Sequence, residues 1–432
     1  MKYSIVIPTY NHCDDLLKPC VDSILKYSNL EDIELIISYN GCTDETKHYV
    51  TYLTRMFEQK GLGHHIKYFG TEKPVGYPKA TNIGIGLATA EKIVLLNNDT
   101  ILLEQPKNKW LELLEAPFLS NPKCGISGPI MSHSPEANRD FIIFFCAMID
   151  RKVFNTIGLL NEEYGTGSGE DIEFCIKAVN AGFEQFECLP KKALNEHAYT
   201  GDFPIYHVGE ATVQDKNLVQ NWKETFYKNG LRLAKKYNPE HYRFLLSNNY
   251  ERAVFLKGDA VFPRETQRYE WAAKNVLGSN LLEIGCSTGY GVQFLPESIT
   301  QYLGLDYDPI IVDVAKDQNW KPNYKFDWAD INSYELGQYD TILAFEVIEH
   351  LDNGLEIVEK LKKHCKRLLI TVPHNEPKGF WGEHHRLHGL TEKDFPGFKF
   401  EYINHHGGIT DTMVPVENCN PSNLMICRWD NE

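Results

Sequence analysis

Ser4-Ile5-Val6-Ile7-Pro8-Thr9-Tyr10-Asn11 opens the chain with an apolar, β-branched run that breaks at a proline. It reads as a strand, Tyr3–Pro8, leading into a turn. Downstream, Leu17, Val21, Ile24 and Leu25 recur at helical spacing, which predicts a helix over Asp14–Tyr27. The alternation continues through strand Ile33–Ser38, helix Thr43–Gln59, strand Ile66–Phe69, helix Lys79–Ala90 and strand Lys92–Leu96. Such alternation predicts a parallel sheet with helices on its faces. It restarts near Arg264 with helix Glu265–Val276, strand Asn280–Ile284, a helix from Tyr290, strand Tyr302–Leu305 and helix Ile310–Asp317. Strands Thr341–Phe345 and Arg367–Val372 follow, and two late runs, Phe398–Ile403 and Leu424–Arg428, predict an antiparallel hairpin at the sheet edge. Between the halves, Lys216–Tyr237 reads as a long helix stopped by Asn238-Pro239. The boundary is placed at 245, giving an α/β domain over 1–245 and a second over 246–432.

A chain of 432 residues has room for two or three domains with cores of their own. With 42% hydrophobic and 24% charged residues, it falls among globular proteins rather than disordered ones. The longest apolar run, Phe141–Ile149, is far short of the about 20 residues of a membrane span, and the opening stretch, short and broken by Pro8, does not read as a signal peptide. Eleven cysteines with no CxxC pair predict reduced thiols and a cytoplasmic setting. A net charge of −15 without a basic stripe argues against nucleic-acid binding. Nucleotides are not excluded, since backbone amides and a metal ion can hold them.

Four stretches of the first half can carry chemistry. Pro8, Thr9 and Tyr10 follow a strand, where ligands bind in open α/β sheets; the same residues also suit a plain proline turn. Asn40-Gly41-Cys42-Thr43-Asp44 combines a turn with a helix cap. In Leu95-Leu96-Asn97-Asn98-Asp99-Thr100, an acid just past a buried strand can reach a divalent metal on a diphosphate, or simply form a turn. Gly169-Glu170-Asp171-Ile172-Glu173 places carboxylates at a helix start, which complements the helix dipole or supplies a general base.

In this order, S-I-V-I-P-T-Y-N, N-G-C-T-D, L-L-N-N-D-T and G-E-D-I-E-F-C resemble the family 2 glycosyltransferases of GT-A fold, a likeness covering residues 1–235 or so. The resemblance implies that Pro8, Thr9, Tyr10, Asn40 and Asn97 bind a nucleotide-sugar. It implies Asp99 as the metal-binding acid of a DxD-like motif, with His207 as a second metal ligand for Mg²⁺ or Mn²⁺. Asp171, with Glu170 beside it, would deprotonate the acceptor for inverting displacement. Two departures bear on the donor nucleotide: Tyr39 stands where the family has an acid, and Asn97 replaces the first Asp of DxD.

The second half offers Leu281-Leu282-Glu283-Ile284-Gly285-Cys286-Ser287-Thr288-Gly289, a strand entering a glycine turn, and Asp306 ending the next strand. That pairing suits the ribose of several cofactors. With Phe345-Glu346-Val347-Ile348-Glu349-His350 and the helix around Arg264-Glu265-Thr266-Gln267-Arg268, it is similar to the class I S-adenosylmethionine methyltransferases, a seven-stranded Rossmann-like fold. The resemblance covers roughly residues 255–432. It implies that Arg268, Glu283, Gly285, Gly289, Asp306, Asp330 and Glu346 bind S-adenosylmethionine. His374 and Glu383-His384-His385-Arg386-Leu387-His388 offer proton acceptors. The His-rich segment invites a zinc reading but lacks a partner cysteine motif; a mobile substrate lid and ordinary surface histidines are the readings set ahead of it.

Together these readings describe a bifunctional transferase. It would move a sugar from a nucleoside-diphosphate sugar to a glycan or glycolipid, and a methyl group to a hydroxyl of the same glycan. Without a transmembrane segment, a lipid-linked acceptor would be met by peripheral contact. The alternatives are one active methyltransferase with a degenerate glycosyltransferase-like binding module, or a nucleotidyltransferase. The missing basic, glycine-rich phosphate loop argues against the last.

Overall fold

Ile5, Val6 and Ile7 are wholly buried, because their strand is covered on both faces. The computed structural model describes residues 1–189, 202–209, 222–247, 252–380, 382–404, 408–413 and 423–431. It divides into two compact units, Met1–Tyr242 and Arg243–Glu432.

The strands of the first unit are β1 (Tyr3–Thr9), β2 (Ile33–Asn40), β3 (Ile66–Thr71), β4 (Lys92–Leu96), β5 (Thr100–Leu102), β6 (Cys124–Gly128), β7 (Met131–Ser134), β8 (Arg139–Ile142), β9 (Cys146–Asp150), β10 (Glu184–Glu187) and β11 (Ile205–His207). Seven form one sheet, ordered β10-β6-β9-β4-β1-β2-β3. β1 is parallel to β2 and β4, whereas β9 runs antiparallel to β4 and β6. Chain order reverses between β4 and β1, which opens a crevice at their carboxyl ends. The core lies on both faces. Leu17, Val21 and Ile24 pack with Leu53 and Phe57 on one, Ile85 with Phe154 and Phe174 on the other.

The second unit holds β12 (Asn280–Ile284), β13 (Gln301–Asp306), β14 (Tyr324–Trp328), β15 (Tyr339–Phe345), β16 (Cys365–Pro373), β17 (Lys399–Ile403), β18 (Ile409–Thr410) and β19 (Leu424–Asp430). Their order is β14-β13-β12-β15-β16-β19-β17-β18, so seven full strands carry a two-residue edge strand. β12 to β16 are parallel, and β19 is antiparallel to β16 and β17. Among the parallel strands the order again reverses between β12 and β15.

Several expectations are corrected. The late pair is antiparallel, but its second strand inserts between β16 and β17 rather than lying at the edge. The helix expected from Tyr290 is a single 3-10 turn, Tyr290–Gln293, with Pro296 close behind. The first helix starts at Lys18 after a π-helical turn, Cys13–Leu17. The second starts at Thr46, because the Asp44 carboxylate takes the N–H of Thr46 at 3.1 Å and holds a turn ahead of it. Of the long helix, Trp222–Tyr237 is present, and residues 216–221 lie outside the described residues.

Candidate functional site

Pairing of Thr9 with Tyr39 and Val6 with Leu95 sets the carboxyl ends of β1, β2 and β4 side by side. Pro8 and Thr9 are buried there, and Tyr10 is half-buried in the turn. Thr9 Oγ1 accepts from Asn98 Nδ2 at 2.9 Å. Asn40 Oδ1 accepts from the Val75 N–H at 2.6 Å and braces the loop before the helix Tyr77–Leu87. Tyr39 turns toward β3, stacking on Tyr68 at 6.4 Å over Gly70, where a Cβ would meet its ring.

Tyr77, which the sequence did not single out, opens that helix. Its hydroxyl donates to Asn97 Oδ1 at 3.0 Å. Burial, then the charges of Glu170, Asp171 and Asp99, push its phenol far up. The glycine before it permits this meeting: Gly76 has φ +90°, and a Cβ there would lie 2.0 Å from the Gly165 carbonyl oxygen. The loop that carries Glu170 therefore lies directly against the start of Tyr77–Leu87.

Asp99 is buried, and its Oδ1 lies 3.2 Å from His207 Nε2. The backbone closes the same contact, with the Val208 N–H donating to the Asp99 carbonyl at 2.9 Å. The His207 ring lies flat on Phe145, centroids 4.3 Å apart at 9°. Neither Asp99 Oδ1 nor His207 Nε2 has a hydrogen-bond partner among the described residues. A buried carboxylate oxygen and an imidazole without partners are a donor set for a divalent cation.

Glu170 and Asp171 open the helix Glu170–Asn180, whose preceding loop is held by Asn229 Nδ2 donating to the carbonyls of Tyr164 and Gly167 at 3.0 and 2.9 Å. Burial, then the Asp171 charge, pushes the Glu170 carboxyl up. Burial also pushes Asp171 up, against the pull of the Ile172 and Phe144 N–H groups. Phe144 immediately precedes Phe145, so Asp171 and the Asp99–His207 pair rest on adjacent residues.

In the second unit a cavity of about 940 Å³ opens at the carboxyl ends of β12, β13 and β15, and Arg268, Gly285, Asp306, Asp330 and Glu346 all line it. Gly285 has φ +72°, and a Cβ would lie 2.4 Å from Val347 Cγ2, so the turn suits glycine. Asp306 Oδ2 accepts from the Ser287 N–H at 3.0 Å and Oδ1 from that of Asp308 at 3.1 Å. Burial raises its carboxyl while Arg252, which the sequence did not flag, opposes. Arg268 is buried and donates to the Tyr290 hydroxyl at 2.5 Å. Asp330 Oδ1 accepts from the Asn332 N–H at 2.9 Å. Glu346 sits at φ +54°, pinned by its N–H to the Thr371 carbonyl at 2.9 Å and by the Thr371 hydroxyl to Oε1 at 3.0 Å.

Two expected residues do not line the cavity. Glu283 lies within the core, accepting from the hydroxyls of Tyr269 and Tyr302, and burial pushes it up to about 7. Gly289 makes room for Phe326 and Trp320, which a Cβ would approach to 2.6 and 2.8 Å. Both therefore support the turn rather than face a ligand. His374 is likewise off the cavity, 3.2 Å from Glu392. The segment Glu383–Arg386 forms a cavity wall. It is tied down by the N–H groups of Arg386 and Leu387, which donate to the Glu349 carbonyl at 2.7 and 2.9 Å. Among the described residues, no helix is long and apolar enough to cross a membrane.

The Glycosyl transferase family 2 model matches residues 4–158, and a Methyltransferase domain model matches residues 282–367. "Uncharacterized protein y4gI" of Sinorhizobium fredii is 21% identical over 212 residues, covering 42% of this chain and 23% of that protein. A "Probable S-adenosylmethionine-dependent methyltransferase" of Mycolicibacterium smegmatis is 29% identical over 115 residues, covering 25% of this chain and 40% of that protein. The chain thus spans less than half the length of either relative. Among solved structures, mannosyltransferase PcManGT from Pyrobaculum calidifontis, in complex with GDP-Man and Mn²⁺, is similar with 16% identity and a TM-score of 0.40, over 58% of this chain and 69% of that one. On the family matches, the chain carries a family 2 glycosyltransferase domain followed by a methyltransferase domain, each on an α/β sheet.

Proposed function

We propose that the first domain transfers a sugar from a nucleoside-diphosphate sugar to a hydroxyl of a glycan or glycolipid, with inversion, and that the second methylates a hydroxyl of the same glycan. The observation that carries the first half is the chain of contacts from Asp99 through His207 and Phe145 to Phe144 and Asp171. On this reading it would bring a cation-binding pair and a base to one site.

Asp99 and His207 would hold Mg²⁺ or Mn²⁺, which neutralises charge on a diphosphate leaving group. Thr9 and Tyr10 would flank the base, and Asn97, fixed by Tyr77, would position the donor. Asp171 takes the acceptor proton as the acceptor oxygen attacks the anomeric carbon from the face opposite the diphosphate. Burial raises both carboxyls, so Glu170 beside Asp171 keeps the pair from carrying two full charges at once.

In the second domain S-adenosylmethionine would supply an electrophilic methyl group. Gly285 admits the cofactor close to backbone, Asp306 accepts from its ribose hydroxyls, and Arg268 and Glu346 bound the reacting end. In-line transfer draws its rate mainly from this positioning. Joining both domains in one chain supports the assignment to one glycan, and the free cysteines among the described residues support a cytoplasmic setting.

The test supplies purified protein with UDP-, GDP-, CDP- and dTDP-sugars and Mn²⁺, then with methyl-labelled S-adenosylmethionine. Donor turnover followed by label in the glycosylated product is expected. Label without turnover of any donor would leave the first domain as a binding module.

A further inference from the structure

Glu349, His350 and His385 gather at one end of the methyltransferase cavity, and each lines it. One donor atom from each lies within 4.8 Å of the others. Two ligands bound to one ion at about 2.0–2.2 Å sit no more than about 4.4 Å apart, so a small closure brings all three onto one cation. Glu349 is 1% exposed, and neither of its carboxylate oxygens has a hydrogen-bond partner among the described residues. A buried carboxyl left without donors calls for a ligand.

The two histidines are turned for this task by their other nitrogens. His350 Nδ1 faces the His384 carbonyl oxygen at 3.2 Å, and a carbonyl can only accept. Nδ1 therefore bears the proton and Nε2 the lone pair. His385 Nδ1 lies 2.5 Å from Glu376 Oε2, and Glu376 is itself 2% exposed. A buried carboxylate behind an imidazole is how proteins fix the tautomer and raise the basicity of a metal-binding histidine. The rings of His350 and His385 meet edge to face at 4.7 Å, and the Arg386 and Leu387 N–H groups lock this segment to the Glu349 carbonyl.

We propose that Glu349, His350 and His385 form a second divalent-metal site, taking a first-row transition ion such as Mn²⁺, Co²⁺ or Zn²⁺, whose open positions receive the hydroxyl oxygen of the methyl acceptor. Two imidazoles and one carboxylate suit such ions better than Ca²⁺ or Mg²⁺. The second clause rests on the reading of this cavity as a site of hydroxyl methylation. Coordination lowers the hydroxyl pKa, so its proton passes to water. The C–O bond then forms as the S–CH₃ bond breaks, giving the methyl ether and S-adenosylhomocysteine.

The experiment removes metal from the full-length Asp99→Ala protein, which silences the other cation site, and titrates it with Co²⁺ under visible absorption. We expect bands of imidazole-ligated Co²⁺ saturating near one equivalent and displaced by Zn²⁺. Adding His385→Ala should weaken Co²⁺ binding at least tenfold, while S-adenosylhomocysteine binding reports that the domain is folded. Glu376→Gln, which removes only the carboxylate behind His385, should weaken it about tenfold or more. No Co²⁺ bands, or bands unchanged by both substitutions, would overturn the metal site whatever the acceptor proves to be. Bands that respond to substitution, together with methylation that chelation does not slow, would overturn the acceptor-binding role and leave the methyl-transfer reading standing.

Discussion

Asp99 Oδ1 and His207 Nε2 lie 3.2 Å apart across more than a hundred residues of chain, brought together by the antiparallel pairing of β5 with β11. That pairing places His207 opposite Thr100, the residue after Asp99. The ring is then fixed from beneath by Phe145. Neither of the two atoms has a hydrogen-bond partner among the described residues.

The first prediction follows from that pair. UDP or GDP should raise the melting temperature of the first domain when Mn²⁺ is present and much less when it is absent. Ligand at about 100 times its Kd adds about 2.7 kcal/mol, a shift of several degrees in a domain of this size. Asp99→Ala should abolish the Mn²⁺-dependent part, and His207→Ala should reduce it. Equal shifts with and without metal in the wild type would mean the pair is structural.

Asp171→Asn should lower the rate of glycosyl transfer by roughly 10²–10⁴-fold while leaving nucleotide binding intact. Glu170→Gln should cost less. Because burial raises both carboxyls, the rate should climb with pH beyond the ordinary carboxylate range as Asp171 ionises. Steady-state pH–rate profiles check this, and a rate already flat at pH 5 would reject Asp171 as the base.

Much of this was written in the sequence, and the losses have causes. Parallel strands announced themselves because burial on both faces demands continuous apolar runs, as in Ile5–Ile7 and Ile342–Phe345. The short antiparallel strands between Leu96 and His207 gave no comparable signal, since β5 and β11 have only three residues each. Motif acids were legible by position, but their environment was not. Glu283 matched a motif and still faces the core, because its neighbour Ile284 takes the cavity side. Tyr77 and Arg252 act through residues 20 and 56 positions away, and Glu376 through His385 nine positions on, and no local pattern marks them.

Glu34 offers a stability test independent of function. It is wholly buried, with Oε2 accepting from Lys67 Nζ at 2.6 Å and Oε1 from Ser4 Oγ and the Thr89 N–H at 2.5 Å each. Burial works to raise its carboxyl, yet these donors hold it down at about 2. A depressed folded-state value stabilises the fold above the unfolded value and is lost as pH falls from about 4.5 toward 2. Glu34→Gln should therefore cost about 2–4 kcal/mol at neutral pH and flatten the acid limb of stability. Thermal unfolding of the first domain between pH 3 and 7 reads both effects, and an unaltered acid limb would contradict the assignment.

The last prediction separates two duties of Asp306. Its oxygens already accept from the Ser287 and Asp308 N–H groups, so the carboxylate shapes the glycine turn as well as facing the cavity. Asp306→Ala removes both duties and should weaken S-adenosylhomocysteine binding by roughly 10–100-fold, as expected for lost hydrogen bonds to a charged group. Asp306→Asn keeps one acceptor oxygen and should fall between it and wild type. Gly285→Ala reaches the same turn by another route: φ +72° strains alanine, and its Cβ would strike Val347. Calorimetric titration with S-adenosylhomocysteine should show Gly285→Ala losing affinity while the domain stays folded. If Gly285→Ala binds as wild type does, the ligand does not lie against this turn, and the cavity's cofactor end must be sought elsewhere along its wall.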